Sequence, residues 1–544
     1  MPRKSQTGRA SRFTRGSGVQ KPTLTASSKP RVIKEAVGAR KKVARAVAEP
    51  AKALNNASGN PLKAPSKPVA NMTKKRTVPV DEETARPAKR SRPETPLNLS
   101  PTQKLDIYVF GQGGNGELGL GAKKVNNKSI KEILYPRLNT FLDASSVGVV
   151  QLAVGGMHCI ALTHDQKLLT WGVNDGCALG RDTSWEAPTV EVDADSSDND
   201  SEDDEDDDDS GMNPVESTPT ALPAESFGSG VVFVQVVATN SASFALTENG
   251  NVWGWGSFRD SNGEFGFFKE DAMKPNKVGM NKTVHQKQPS LIPNLNKIKT
   301  LSAGGDHVLA LDHSGKVWAW GVGEQSQLGF HIPHRLRYDY LIPSPVNLPK
   351  ITTIAAGAYH SFAIDIKGRV WAWGLNNFGQ AGVSNGAGEE NALIRRPTIV
   401  KSLSAYAMKS IQGGTHHSIA CATDGSTLVW GRCDDSQIGV EMGSLPNDDI
   451  LFDSRGKPRI LTKPAIVPGL HSTTVAAGID NCIAVTTGGQ AYSWGFSSGY
   501  RTGQGTENSV EKAKVIENSA VRGKPLSFGG CGGQFSVLAG PASS

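Results

Sequence analysis

Several residue groups in this chain have types and spacings that invite a chemical reading. GQGGNG at residues 111–116 fits G-x-G-x-x-G, the pattern that lets a backbone wrap a pyrophosphate at a helix N-terminus. That chemistry needs a helix next, and ELGLG follows instead. The same turn recurs as GVNDGCALG and GVGEQSQLG, which makes it a repeated structural turn. GFSSG at 495–499 fits the nucleophile pattern G-x-S-x-G, but it is a further copy of that turn and has no paired base. No G-x-x-x-x-G-K-[ST] loop is present. His158, His307, His360 and His417 share one repeat position, which argues for a structural hydrogen bond and against a metal cluster. His416 stands one position earlier, where other copies carry Asp306 and Asp480. Polar side chains there are candidates to face solvent at one end of the repeats. Cys159, Cys177, Cys421, Cys433, Cys482 and Cys531 are scattered without C-x-x-C spacing, as buried free thiols of a reducing compartment would be. No paired carboxylates and no nucleophile–base set stand out. The residues therefore point to binding and away from covalent chemistry, with no metal and no cofactor expected.

One turn departs from the others. Six of seven read G-x₇-G, whereas GSFRDSNGEFG at 256–266 is two residues longer. The extra length presents Phe258, Arg259, Asp260, Ser261 and Asn262 as a polar finger. Taken alone, it is either a tolerated surface insertion or a recognition element.

The elements that must position these residues are short strands. An aromatic-Gly pair recurs seven times, at Phe110-Gly111, Trp171-Gly172, Trp255-Gly256, Trp320-Gly321, Trp373-Gly374, Trp430-Gly431 and Trp494-Gly495. A small-residue turn and an apolar run precede each pair but the first, as in SAGGDHVLAL and AAGAYHSFAI. A period of roughly 50–65 residues, with Val, Trp, Tyr and Ile alternating, is the signature of propeller blades. The first copy has only its last part and the final copy, FGGCGGQFSVLAG, only its first. The expected fold is all-β: a seven-bladed β-propeller over 104–542, one blade being closed by the N- and C-terminal strands so that no sheet edge is left open.

Charge marks what lies outside the repeats. Residues 1–100 hold 23 Lys and Arg against 6 acids, with few aromatics, so residues 1–103 read as a disordered basic tail. Residues 186–229 read as a low-complexity insertion within the propeller, with 13 acids between 191 and 209. Lys74, Lys75 and Arg76, a twelve-residue gap, then Lys89, Arg90 and Arg92 form a bipartite nuclear import signal, which implies an import receptor as partner and a nuclear location. Arg3, Lys4, Lys41 and Lys42 belong to an arm suited to DNA phosphates through counterion release. Thr95-Pro96 and Ser100-Pro101 are candidate phosphorylation sites beside the import signal. No apolar run reaches the ~18 residues of a membrane span, so no membrane partner is expected.

Residues 104–542 resemble the regulator of chromosome condensation family in its fungal form with an acidic insertion; GGMHCIALTHDQKLLTWGVNDGCALGRDTS and WGSFRDSNGEFG carry the likeness. The resemblance implies a guanine nucleotide exchange factor for the small GTPase Ran, tethered to chromatin in the nucleus. In that family the finger is a wedge pressed on the GTPase, which assigns Arg259, Asp260, Ser261 and Asn262 to the GTPase. Family exchange residues fall on Asp306 and His416, and a further family Asp falls on Asn240, a departure that removes a charge. The family also binds nucleosomes, core histones as well as DNA, and Arg335 and Arg337 in HIPHRLRYDY match its arginine loop. The competing reading is a chromatin-bound propeller scaffold without exchange activity.

Overall fold

The computed structural model describes residues 96–122, 131–186, 212–273 and 285–542. The basic clusters of the tail, the import signal, Thr95 and the acidic run lie outside the described residues. Among the described residues the regular structure is almost wholly β-strand, with only short helical turns, in a propeller-like arrangement of meandering sheets. In one sheet, Leu105–Gln112 lies antiparallel to Phe535–Pro541, with Leu105 opposite Pro541 and Gly111 opposite Phe535. Glu132–Leu138 and Phe528–Cys531 flank that pair. Four more four-stranded sheets follow in chain order, typified by Ile351–Ala356, His360–Asp365, Val370–Leu375 and Leu393–Ile399. An eight-stranded sheet arises because the strand Pro458–Ala477 serves two repeats. Its first half pairs with Ser426–Arg432 and its second with Asn481–Thr486.

The repeat residues explain how each sheet meets the next. Six tryptophans of the aromatic-Gly pairs and Phe110 are fully buried. At 150–250 Å² and ~25 cal/mol/Å², each is worth about 4–6 kcal/mol of transfer free energy before chain entropy is subtracted. Trp171 Nε1 donates to Glu117 O at 3.1 Å, Trp255 to Ala178 O at 2.9 Å, and Trp373, Trp430 and Trp494 to the matching carbonyls of Gln327, Gln380 and Gln437. Each acceptor lies in the turn of the preceding repeat. The second glycine of five G-x₇-G turns sits on the same indole, and that of the sixth, Gly503, sits on the Phe110 ring. A Cβ on Gly180 would stand 2.6 Å from Trp255, and one on Gly439 would stand 2.5 Å from Trp494. Both glycines also hold φ near +65°, where a side chain is strained. The repeated histidines add a second link: Nε2 of His158, His307 and His360 meets Oγ of Ser243, Ser361 and Ser418 in the next sheet at 2.9, 2.8 and 2.8 Å. His417 meets Cys482 Sγ at 3.2 Å. The structural role expected of this register is what these bonds show.

Two boundaries move. Residues 97–100, assigned above to the tail, are hydrogen-bonded to the sheets, with Leu97 N and Asn98 N both donating to Glu248 O. Their polar side chains find backbone partners that composition does not reveal. Residues 212–229, assigned to the insertion, fold as a short helix Pro214–Ser217, the strand Thr220–Ala221 and a turn Ala224–Phe227. Thr220–Ala221 completes a four-stranded sheet, and Phe227 is buried edge-on to Phe233 and Trp253. Pro and Ser there serve as turn residues of a folded segment.

Candidate functional site

The overlong third turn folds into a small hairpin. Phe258–Asp260 pairs antiparallel with Gly263–Gly266, Asp260 lying opposite Gly263. Phe258 is fully buried and stacks on Phe267, with ring centroids 5.8 Å apart. Phe265 is buried beside Tyr338 at 5.3 Å. These aromatics root the hairpin, and Arg259, Ser261 and Asn262 remain exposed at its tip. Gly263 turns the chain at φ +111°, with open space where a Cβ would be.

The hairpin breaks the link that the other turns make. Gly266 lies against Ala272 instead of the next indole. Trp320 stays buried, but its Nε1 has no hydrogen-bond partner among the described residues. Leaving such a donor unpaired costs about 1–3 kcal/mol. The finger is thus a place where the regular packing has been given up.

Three acidic residues brace it. Arg259 N donates to Asp306 Oδ1 at 2.9 Å, and the Arg259 guanidinium pairs with Asp175. Ser261 N and Oγ donate to the two carboxylate oxygens of Glu324 at 3.0 and 2.9 Å. Asn262 N donates to Asp260 Oδ1 at 2.8 Å within the tip. Asp175, Asp306 and Glu324 come from the sheets before and after the finger. Asn240 Nδ2 donates to Asp306 Oδ2 at 3.1 Å. Partial burial pushes the Asp306 carboxyl up to about 6, against the bonds from Arg259 and Asn240 and the charge of Arg259, which pull it down.

His416 follows along the same row. The carbonyls of Asp306, Tyr359, His416 and Asp480 each accept an amide two residues past an aromatic-Gly tryptophan, at 2.7, 2.9, 2.9 and 2.9 Å. The four residues therefore occupy equivalent places in successive repeats. The His416 ring lies 4.8 Å from that of Phe378 and 6.1 Å from that of Tyr359. Burial, then the charge of Arg432, holds its imidazole below the ordinary range and favours the neutral ring. Arg432 binds Asp434 at 2.6 Å and Asp435 at 2.8 Å and reaches Asp480 at 3.4 Å. Tyr359, whose phenol is raised by burial and by the charge of Asp306, stands between Asp306 and His416.

Bonds thus join Asn240, Asp306, Arg259 and Asp175, the pairs Ser261–Glu324 and Asp260–Asn262 lie beside them in the same hairpin, and His416 stands further along the row. Asp175, Glu324, Tyr359, Phe378 and Arg432 escaped the sequence reading. A signal existed for two of them: Asp175 and Glu324 each stand three residues after the turn glycine, in the repeats flanking the finger. Arg335 and Arg337 lie in the turn His334–Leu341. Arg335 is exposed, whereas Arg337 stacks on Tyr338 and donates to its hydroxyl at 2.9 Å. Because Tyr338 packs on Phe265, Arg337 belongs to the root of the finger. The repeated histidines are buried, with His307 and His360 pushed down to about 3 and His158 and His417 to about 4 by desolvation. They are neutral spacers without access to a substrate. Among the described residues no His, Cys, Asp and Glu gather in a group of three or more able to hold a metal.

A family model described as the RCC1-like domain matches residues 106–538. The chain belongs to the RCC1-like family. Protein pim1 of Schizosaccharomyces pombe is 39% identical over 443 residues, covering 81% of this chain and 75% of the relative. The guanine nucleotide exchange factor SRM1 of Saccharomyces cerevisiae is 39% identical over 448 residues, covering 80% and 88%. Among solved structures, Prp20p of S. cerevisiae superposes with a TM-score of 0.71 at 37% identity, covering 81% of this chain and 92% of that one. That work concerns its binding to Gsp1p and histones. Yeast RCC1 (Prp20) bound to Kap60 also matches, with a TM-score of 0.71 at 35% identity, covering 86% and 97%. The RCC1-like repeats and the finger both fall inside the matched span.

Proposed function

We propose that this chain is a guanine nucleotide exchange factor for a Ran-type small GTPase, with the finger and its acidic rim as the GTPase-binding site. The observation that carries the reading is the set of bonds among Arg259, Ser261, Asp306, Asn240, Asp175 and Glu324 at the one irregular turn. The relatives' names agree, one being an exchange factor and another a protein studied with Gsp1p and histones. The scaffold is a ring of seven blades closed by the pairing of Leu105–Gln112 with Phe535–Pro541. The sheet order supports this count once Pro458–Ala477 is divided between two blades.

The mechanism is competition for binding, with no covalent step. A factor that binds the empty GTPase more tightly than the loaded one weakens nucleotide binding by the same factor. Accelerating release by ~10⁵ means lowering its barrier by about 7 kcal/mol. The finger is already braced, so little ordering entropy is lost on contact. Its tip wedges into the GTPase beside the nucleotide. Asp260 and Asp306, and His416 as a neutral imidazole, compete with phosphate and Mg²⁺ for the GTPase's cationic and hydroxyl groups. Direction comes from the cellular excess of GTP. Asn240 does not weaken this reading, because its amide neutralises nothing and donates to Asp306, where a second carboxylate would repel it. Arg335 is the candidate histone contact, and the tail with Arg3, Lys4, Lys41 and Lys42 the candidate DNA contact. Import through the clusters 74–76 and 89–92 places the protein in the nucleus on chromatin, in keeping with a relative bound to Kap60. Release of labelled GDP from Ran tests the proposal. Acceleration that disappears when Asp306 or His416 becomes Ala, with the fold intact, is the expected result, and no acceleration by the purified chain refutes it.

A further inference from the structure

At the far side of the sheets from the finger, residues 97–100 form a strap tied down by a set of polar bonds. Leu97 N and Asn98 N donate to Glu248 O at 3.1 and 3.0 Å. Asn98 Nδ2 donates to Ile298 O at 2.9 Å and Thr247 O at 3.3 Å, and its Oδ1 lies 3.0 Å from His313 Nε2. Ser100 Oγ donates to Phe233 O at 2.9 Å and accepts from Gln166 Nε2 at 3.0 Å. Gln166 in turn accepts from Phe233 N at 2.7 Å, so Ser100 is locked into the same clasp. Thr247 and Asp312 end the strands Ala242–Thr247 and His307–Asp312, whose other ends adjoin Asn240 and Asp306. A strand of this length puts the strap and the finger roughly 20 Å apart, on opposite faces.

The alternation of the strap is inverted. Asn98 and Ser100 point into the protein, whereas Leu97 and Leu99 are 41% and 88% exposed. Leu99 buries little apolar surface and Leu97 only part of its own, and segments with few buried apolar contacts open at low free energy. Ser100 is followed by Pro101, the sequence context of proline-directed kinases, and Thr102 and Gln103 beyond it are exposed. We infer that Ser100 is a phosphorylation site whose modification releases the strap from the sheets. In the reaction the Ser100 Oγ attacks the γ-phosphorus of ATP. The new Oγ–P bond replaces the bond from the γ-phosphorus to the β-bridging oxygen. ADP leaves, and the hydroxyl proton goes to the kinase base. The product has no O–H to give to Phe233 O, and sets a charge of about −2 against that carbonyl. The bonding partners of Ser100 Oγ are a carbonyl and a neutral amide, and neither carries a positive charge to offset the phosphate. Release adds about seven residues, roughly 20 Å of chain, to the tether between Arg92 of the import signal and the first strand.

The inference is independent of the exchange reading. Its test treats the full chain carrying Thr95→Ala with a proline-directed serine/threonine kinase and Mg-ATP. Peptide mass spectrometry reads the site, and amide hydrogen exchange reads Leu97 and Asn98. Phosphate on Ser100, with exchange at those two amides faster by tenfold or more than in the mock-treated chain, is expected. A chain that also carries Ser100→Ala stays unlabelled there, and its two amides exchange no faster after kinase treatment than before. Failure to label Ser100 in the full chain under conditions that label a peptide of residues 92–106 overturns the proposal. So does a phosphorylated chain with unchanged protection.

Discussion

Asp306 concentrates the chemistry of the site, and its ionisation works against the fold. Its carboxyl is raised to about 6 by burial, whereas in the unfolded chain it titrates near 4. Between those values the folded state holds the proton and the unfolded state does not. Stability therefore falls as pH rises through that window and stays lower above it. Asp306→Asn is expected to remove this fall and to stabilise the protein at pH 7 by about 1–2 kcal/mol, less than the full shift implies because the group is partly exposed. Thermal melts from pH 4 to 8 check the sign. The same substitution is expected to slow GDP release at least tenfold, since the finger keeps its backbone bond but loses the charge. In the unmodified protein, release should lose half its rate near pH 6. A profile flat from pH 5 to 8 would remove Asp306 from the site. Burial, then the charge of Arg432, lowers the His416 imidazole from its ordinary range and favours its neutral form.

At the scale of the element, the finger is a hairpin inserted where the other repeats place a packing turn. The unpaired Trp320 Nε1 and the displaced Gly266 show that it gives up part of the sheet-to-sheet contact. Deleting Ser261 and Asn262, which restores the G-x₇-G length, should leave Tm unchanged or higher and abolish exchange. Denaturation and GDP release measured on one preparation separate the two effects. A milder probe is Gly263→Ala. At φ +111° it strains the turn by about 1–2 kcal/mol, yet it meets no neighbouring atom. It should lower exchange while the global melt stays within a degree or two, because Gly263 lies at the tip of the hairpin, away from the buried Phe258 and Phe265 at its root. A large loss of global stability would mean that the finger belongs to the core.

At the scale of the molecule, the two ends of the chain hold each other. Ile107 and Val109 are buried with Phe535, Val537 and Ala539 in a single cluster. Ending the chain at residue 526 removes two strands, opens an edge and exposes this apolar set. Loss of cooperative unfolding and appearance of aggregates are the expected outcome, followed by scattering during a melt. The basic tail should behave oppositely. Removing residues 1–94 is expected to weaken DNA binding and flatten its salt dependence while GDP release is unaltered. Salt-dependent binding unchanged by the truncation would show that the tail is not the DNA-binding arm.

The sequence by itself determined the repeat, because Trp-Gly pairs, small-residue turns and inward histidines recur at positions that only a stack of like sheets satisfies. It also determined where the regularity fails, since two additional residues in one turn need no coordinates to be seen. The identity of Asp306 and His416 as candidates came from their shared register and from the family resemblance. Tertiary structure decided what those residues touch. Asp175 and Glu324 lie 84 and 63 residues from their finger partners Arg259 and Ser261, and no local pattern encodes such pairings. It also turned Arg337 toward the finger through Tyr338, and gave Asn240 the role of donor to Asp306. The strap at 97–100 and the folded segment at 212–229 were hidden for a related reason. Their composition is that of linkers, and only the carbonyls and aromatic faces of distant sheets make them ordered. Local periodicity reports the surface each strand must bury, whereas polar partnerships between repeats depend on how the sheets are set side by side.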